Sequence, residues 1–119
     1  MKQDMELVEK ILLEIEKRPS SEAGFGLKID GYDAETIAQH CKLLYKHGFV
    51  DGYTPFYGSN SLYTFTVGGL TWEGQDFLNR IQDENTWAKI KRWIEEKAMP
   101  FTIEAIKDAI IAMISGGSK

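Results

Sequence analysis

From Met5 the apolar residues Met5, Val8, Ile11, Leu12 and Ile15 recur at the spacing of a helix with one buried face. Asp4 stands where an N-cap side chain would accept first-turn amides, and Pro19 closes the pattern. A polar, glycine-rich connection, SSEAGFGLKIDGY, follows, in which residues 27–29 suit a short strand. Asp33 then caps a second predicted helix, with Ala34, Ile37, Ala38, Cys41, Leu44 and Tyr45 on its apolar stripe. Gly48 fits the left-handed position that ends such a helix, with Phe49 folded back on Leu44.

After Gly48 the period drops to two. FVDGY and SLYTFTV are rich in aromatic and β-branched residues and predict a hairpin, with TPFYGSN as its loop and Pro55 kept to the edge. Tyr63 and Phe65 are expected to complete the core. Thr71 can cap a third helix from Trp72 to about Ile81, buried through Trp72, Phe77, Leu78 and Ile81. A fourth helix is predicted from Asn85 or Thr86, placing Trp87, Ile90, Ile94 and Trp93 inward until Pro100 breaks it. TIEAIKDAIIAMI makes a fifth, before the tail SGGSK. There is no internal repeat and no low-complexity segment.

Composition narrows the classes. A chain of 119 residues, 43% hydrophobic and 27% charged, has the make-up of a one-core soluble domain. The longest apolar segment is too short to span a bilayer and carries Glu104, Lys107 and Asp108, so no membrane helix is expected. The opening MKQDMELVEK is charged and periodic, unlike a signal peptide. The single cysteine, Cys41, leaves no internal disulfide and no multi-cysteine zinc site. The expected location is cytoplasmic. A net charge of -4 weighs against nucleic-acid binding, which draws affinity from neutralised phosphates, although a small basic face can sit on an acidic body.

The order of helix, amphipathic helix ending in LLYKHGFV, hairpin and then LTWEGQDFL resembles that of winged-helix regulators. In those, a recognition helix ends in a leucine-rich turn and glycine, two strands form the wing, and a motif like Leu70-Thr71-Trp72-Glu73-Gly74 opens the next helix. The chain more closely resembles an uncharacterised family of small bacterial and phage proteins. Its members open like MKQDMELVEKILLEIE, continue through ETIAQHCKLLYKHGFV, and carry LTWEGQDFL followed by NTWAKIK; the likeness covers roughly residues 1–97. Residues 19–32, with one proline and three glycines, lack a helical period where a helix-turn-helix has its positioning helix. The resemblance implies an α+β winged-helix fold with a two-stranded wing, room for a third short strand, and two additional C-terminal helices. Residues 1–99 would form the winged-helix-like domain. Residues 100–115 would be an apolar helix packed on it or forming a dimer contact, and 116–119 a flexible tail.

Two surfaces are candidates for function. Glu35, Gln39, Lys42 and Lys46 project from one side of the second helix. If double-stranded DNA is the partner, Thr36 and Gln39 could reach base edges while Lys42 and Lys46 hold phosphates; otherwise they form a solvated helix face. The wing differs from a DNA-embracing one, since no lysine or arginine occurs from His47 to Asn79. Phe56, Tyr57 and Asn60 suit a protein interface better, which makes a protein-interaction adaptor the alternative to a DNA-binding regulator. The fifth helix is apolar around most of its circumference. Burial on several sides or a homodimer contact would account for that, and the dimer, through residues such as Ile110 and Ile114, is preferred. Its lack of a basic face disfavours lipid association. Neighbouring His40 and Cys41 cannot face each other on a helix, and no phosphate loop, serine elbow or histidine cluster is present. Neither catalysis nor a cofactor or metal is therefore expected.

Overall fold

In the computed structural model, which describes residues 2–18 and 27–115, every helix begins at a side chain that caps it. Helix α1, Met5–Lys17, starts where the Asp4 carboxylate accepts the Leu7 amide at 3.1 Å. Helix α2, Ala34–Lys46, starts where Asp33 accepts from Thr36 at 2.8 Å. It ends in a Schellman turn: Gly48, at φ +78°, donates to Tyr45, and Phe49 donates to Leu44 at 2.9 Å.

Strands β1, Tyr53–Gly58, and β2, Ser61–Val67, pair antiparallel from Tyr53↔Val67 to Gly58↔Ser61, with a bulge at Phe56/Tyr57. The expected seven-residue loop from Thr54 to Asn60 is therefore mostly strand, and only Ser59 and Asn60 make the turn. Pro55 is tolerated for a geometric reason. Gly68 donates to Gly52 at 2.8 Å, and hydrogen-bonded and non-bonded pairs alternate along an antiparallel ladder. Pro55 thus falls in a non-bonded pair with Phe65, where its missing N–H points outward and costs the ladder nothing. An isolated bridge between Val50 and Leu70 extends the hairpin base. The strand expected at 27–29 is absent: those residues have no ladder partner, and Leu27 packs into the core.

Helix α3, Trp72–Gln82, is capped by the Thr71 hydroxyl, which accepts from Gly74 at 3.0 Å and donates to the Gly48 carbonyl. Gly74 has no room for a side chain. A Cβ there would lie 2.9 Å from the carbonyl carbon of Phe49 and 3.1 Å from its Cα. Asp83 ends α3 and caps helix α4, Glu84–Glu96, one to two residues earlier than its period suggests. A second Schellman turn closes α4 with Ala98 at φ +54°; Met99 donates to Ile94 at 3.2 Å. Helix α5, Ile103–Ile114, is capped by Thr102.

Among the described residues the chain is thus an α+β fold of five helices and one two-stranded antiparallel sheet. One core joins Leu7, Ile11 and Leu12 of α1, Ile37 and Leu44 of α2, Phe65 and Val67 of β2, Leu78, Ile90 and Ile106. Each fully buried aliphatic side chain contributes about 1.5–3 kcal/mol relative to exposure. Helix α5 is tied to the start of the chain, since Gln3 accepts the Ile103 amide at 2.9 Å and donates to Glu104 at 3.1 Å.

Several side chains expected inside are outside. Trp72 is 90% exposed and Tyr63 81%, and Ala34 and Tyr45 also lie on the surface. Trp72 is the first residue of α3, before that helix turns its face to the core, and Tyr63 sits beside the bulge. Trp87 and Trp93 are only half-buried. The loop SSEAGFG and the tail at 116–119 fall outside the described residues.

Candidate binding surfaces of helix α2 and the hairpin

Burial orients α2 about its axis. Ile37, Ala38, Cys41 and Leu44 turn to the core, which leaves Glu35, Gln39, Lys42 and Lys46 exposed along one stripe. Thr36 flanks that stripe half-buried, and its carbonyl accepts from His40. Lys42 and Lys46 are in no ion pair among the described residues, unlike Lys10, Lys17 and Arg80. A polyanion meeting the stripe would displace no carboxylate from either ammonium group.

Two histidines of α2 reach other elements, His40 the start of α1 and His47 helix α5. His40, although next to exposed Gln39 along the helix, is 1% exposed. Its Nδ1 donates to the Thr36 carbonyl at 2.9 Å, and its Nε2 accepts the Asp4 amide at 3.0 Å, which assigns a neutral tautomer with both nitrogens engaged. Asp4 feels opposing influences. Burial pushes its carboxyl up, but hydrogen bonds from the Leu7 amide and the Tyr32 hydroxyl outweigh it and hold the group below the usual range. His47, the C-cap residue of α2, donates from Nε2 to Glu104 at 3.3 Å, and its Nδ1 accepts from Lys107 at 3.4 Å. The bond from Gln3 is the main cause that lowers Glu104, with its own backbone amide and His47 adding to it.

Cys41 is fully buried, and burial pushes its thiol up to about 12, which leaves it inert at neutral pH. No group of three or more His, Cys, Asp or Glu side chains capable of holding a metal occurs among the described residues. No described helix is long and apolar enough to cross a membrane.

The hairpin packs on α2 through both strands, and its outer part presents aromatic rings without charge. Tyr57 is 71% exposed, Phe56 about half, and Asn60 forms the tip with Ser59. Tyr63 and Trp72, both expected in the core, add exposed aromatic surface. On α5, Ile110 is half-buried and Ile114 exposed, as is Ile111. Ile110 and Ile111 border a shallow groove of about 170 Å³ shared with Phe49, Phe77 and Lys107. The structure thus brings Thr36, Gln39, Lys42 and Lys46 together on α2, Phe56, Tyr57 and Asn60 together on the hairpin, and places Ile110 and Ile114 on α5. Lys2 and Phe101, which sequence patterns did not connect, line a depression beside Thr36 and His40 of α2, and Phe101 packs on Trp87, whose ring the Lys91 ammonium approaches.

The described residues define a chain of the α+β class. Residues 2–100 match the model of a family described as hypothetical protein (DUF2513), and the chain belongs to that family. It is similar to an uncharacterised protein of Haemophilus influenzae strain Rd, 32% identical over 118 residues that span 97% of both chains. No solved structure matches the chain.

Proposed function

We propose that this protein is a non-catalytic, cytoplasmic winged-helix regulator that binds double-stranded DNA, with α2 as the recognition helix and the hairpin as the wing. The observation that carries the reading is the exposed α2 stripe, on which Gln39 sits between Glu35 and two lysines that form no ion pair among the described residues. Gln39 would read base edges and Thr36 would lie at the groove wall, while Lys42 and Lys46 contact phosphates. Support for a role without catalysis comes from His40 and Cys41: both imidazole nitrogens are occupied and the thiol is buried. The outward isoleucines of α5, Ile111 and Ile114, favour a homodimer, the usual way a regulator matches paired half-sites.

The test is fluorescence anisotropy of labelled duplex DNA, both random fragments and the region around the protein's own coding sequence, at rising salt. Binding that weakens with salt, and is reduced by Lys42→Glu with Lys46→Glu, supports the reading. Absence of binding at low salt refutes it. A second reading is favoured by the exposure of Tyr57, Tyr63 and Trp72: the wing is a protein-docking surface and the fold serves as an adaptor. In that case Tyr57→Ser or Phe56→Ser abolishes function in the host while Lys42→Glu and Lys46→Glu leave it intact.

A further inference from the structure

Helix α5 carries an apolar ridge that one copy of the chain leaves uncovered. Ile103, Ala105, Ile106 and Ala109 turn to the core, whereas Ile111 is 60% exposed and Ile114 64%. Lys107, Ile111 and Ile114 follow one another at intervals of four and three, the spacing that lines side chains along the seam between two paired helices. Lys107 leaves that seam open to apolar contact, because its ammonium turns back to His47 at 3.4 Å and lies 5.7 Å from the centroid of the Phe49 ring.

Beside the ridge lies the groove of about 170 Å³ between α3 and α5. Phe49, Phe77, Ile110 and Ile111 supply its apolar lining, and Glu73 and Asp76 border it from α3. Ridge and groove are thus parts of one patch, with Ile111 belonging to both. A two-fold contact asks for such a patch, since the same surface must serve as both halves of the interface. If two α5 helices run antiparallel about an axis between Ala112 and Met113, Ile111 of one copy stands opposite Ile114 of the other, and symmetry repeats the contact. Each Ile114 then reaches the edge of the other copy's groove, next to Ile110 and Ile111.

The charges fit a second copy in this orientation. From Ala109 to Ser118 the sequence has no charged residue, so the two helices meet without like charges opposed. A parallel pair would set Lys107 against Lys107, whereas the antiparallel pair sends the two lysines to opposite ends of the contact. Asp76 is already held by Arg80 at 2.8 Å. Glu73, Glu104 and Asp108 around the patch disfavour an anionic lipid surface as the occupant.

We propose that the outer face of α5 is the seam of an isologous homodimer, in which two α5 helices pair antiparallel and Ile114 of each copy closes the α3–α5 groove of the other. The inference gives the geometry of the homodimer named above and rests on that part of the regulator reading, not on its DNA.

The test is sedimentation velocity of the full chain, without DNA, over a range of protein concentrations. A monomer–dimer equilibrium is expected. Ile111→Ser and Ile114→Ser should each weaken it by about tenfold or more, whereas Tyr57→Ser, also exposed but on the hairpin, should leave it unchanged. Circular dichroism should show the fold retained, since all three positions are exposed. Orientation is read by mild oxidation: a mixture of Ile111→Cys and Ile114→Cys chains should crosslink faster than either chain alone, with buried Cys41 taking no part. A dimer indifferent to Ile111→Ser and Ile114→Ser, or crosslinking fastest between identical positions, overturns the inference and leaves the homodimer standing. A chain that stays monomeric at every concentration overturns both, while the anisotropy test above decides duplex binding separately.

Discussion

Gly74→Ala sets two physical effects against each other. In a helix interior alanine is favoured over glycine by about 1 kcal/mol, so helix propensity alone makes the substitution stabilising. The added methyl, however, would lie 2.9 Å from the Phe49 carbonyl carbon and 3.1 Å from its Cα, and closer still to the carbonyl oxygen. These are backbone atoms, held by the Phe49 bond to Leu44 at 2.9 Å and by the Thr71 bond to Phe49 at 3.1 Å. They cannot swing aside as a flexible side chain would. Helix α3 must retreat by ~1 Å, which weakens the Thr71 cap on Gly48 and the contact of Phe49 with Phe77, whose ring centroids lie 4.4 Å apart. Overpacking of this kind costs about 3 kcal/mol or somewhat more, so the net is a loss of about 2–3 kcal/mol. Urea unfolding followed by tryptophan fluorescence reads it as a lower midpoint at unchanged slope, and the melting temperature should fall by roughly 8–12 °C. A midpoint equal to or above that of the unaltered protein would refute the close approach of α3 to the turn after α2.

Three further outcomes are expected. Ala98→Gly should stabilise the protein by roughly 0.5–1 kcal/mol, because Ala98 ends α4 at φ +54° where only glycine avoids steric cost; a thermal melt that is unchanged or lower would count against it. Cys41, buried and with its thiol pushed up to about 12, should fail to react with a thiol-specific disulfide reagent at pH 8 until denaturant unfolds the chain; fast labelling of the native protein would contradict that burial. Asp4, Asp33 and Asp83 all titrate below the ordinary aspartate value of 3.8. For Asp4, burial opposes the shift and hydrogen bonds outweigh it, whereas hydrogen bonds to Thr36 and Thr86 are the main causes at Asp33 and Asp83. Their contribution is complete above that value and is lost as pH falls through the lower folded values, so acid should erode stability there. Asp4→Asn, which keeps a capping side chain, should flatten that part of the stability profile; an unchanged profile would deny the linkage.

Local features were legible because their causes are local. Asp4, Asp33 and Thr71 cap helices as their spacing implies, and Gly48 takes the left-handed turn. Gly74, quoted in the motif that opens α3, is the point where that helix packs closely on Phe49. The misreadings concern what faces what. Hydrophobicity marked Trp72, Tyr63 and Tyr45 for the core without saying on which side of each element the core would lie. Pro55 was expected in the hairpin loop rather than in the strand, because its tolerance there depends on the ladder phase, which only pairing sets. Ala98 carries no glycine signal, although it occupies a glycine-type position. His40 had no local cue for burial, since its partner, the Asp4 amide, lies 36 residues away. The stripe on α2 could be read from periodicity alone. The depression beside it could not, because it joins residues from the two ends of the chain.

The clasp of Gln3 on Ile103 and Glu104 governs the order in which the molecule can be completed. Contacts across about a hundred positions form only after a large loop closes, which slows folding relative to a chain of local contacts. During synthesis, α1 and α2 can meet while the rest is still being made, but Gln3 must wait for α5 to emerge. Until then the core that α1 and α2 share with α5 is incomplete, and the nascent chain remains open to misassociation there.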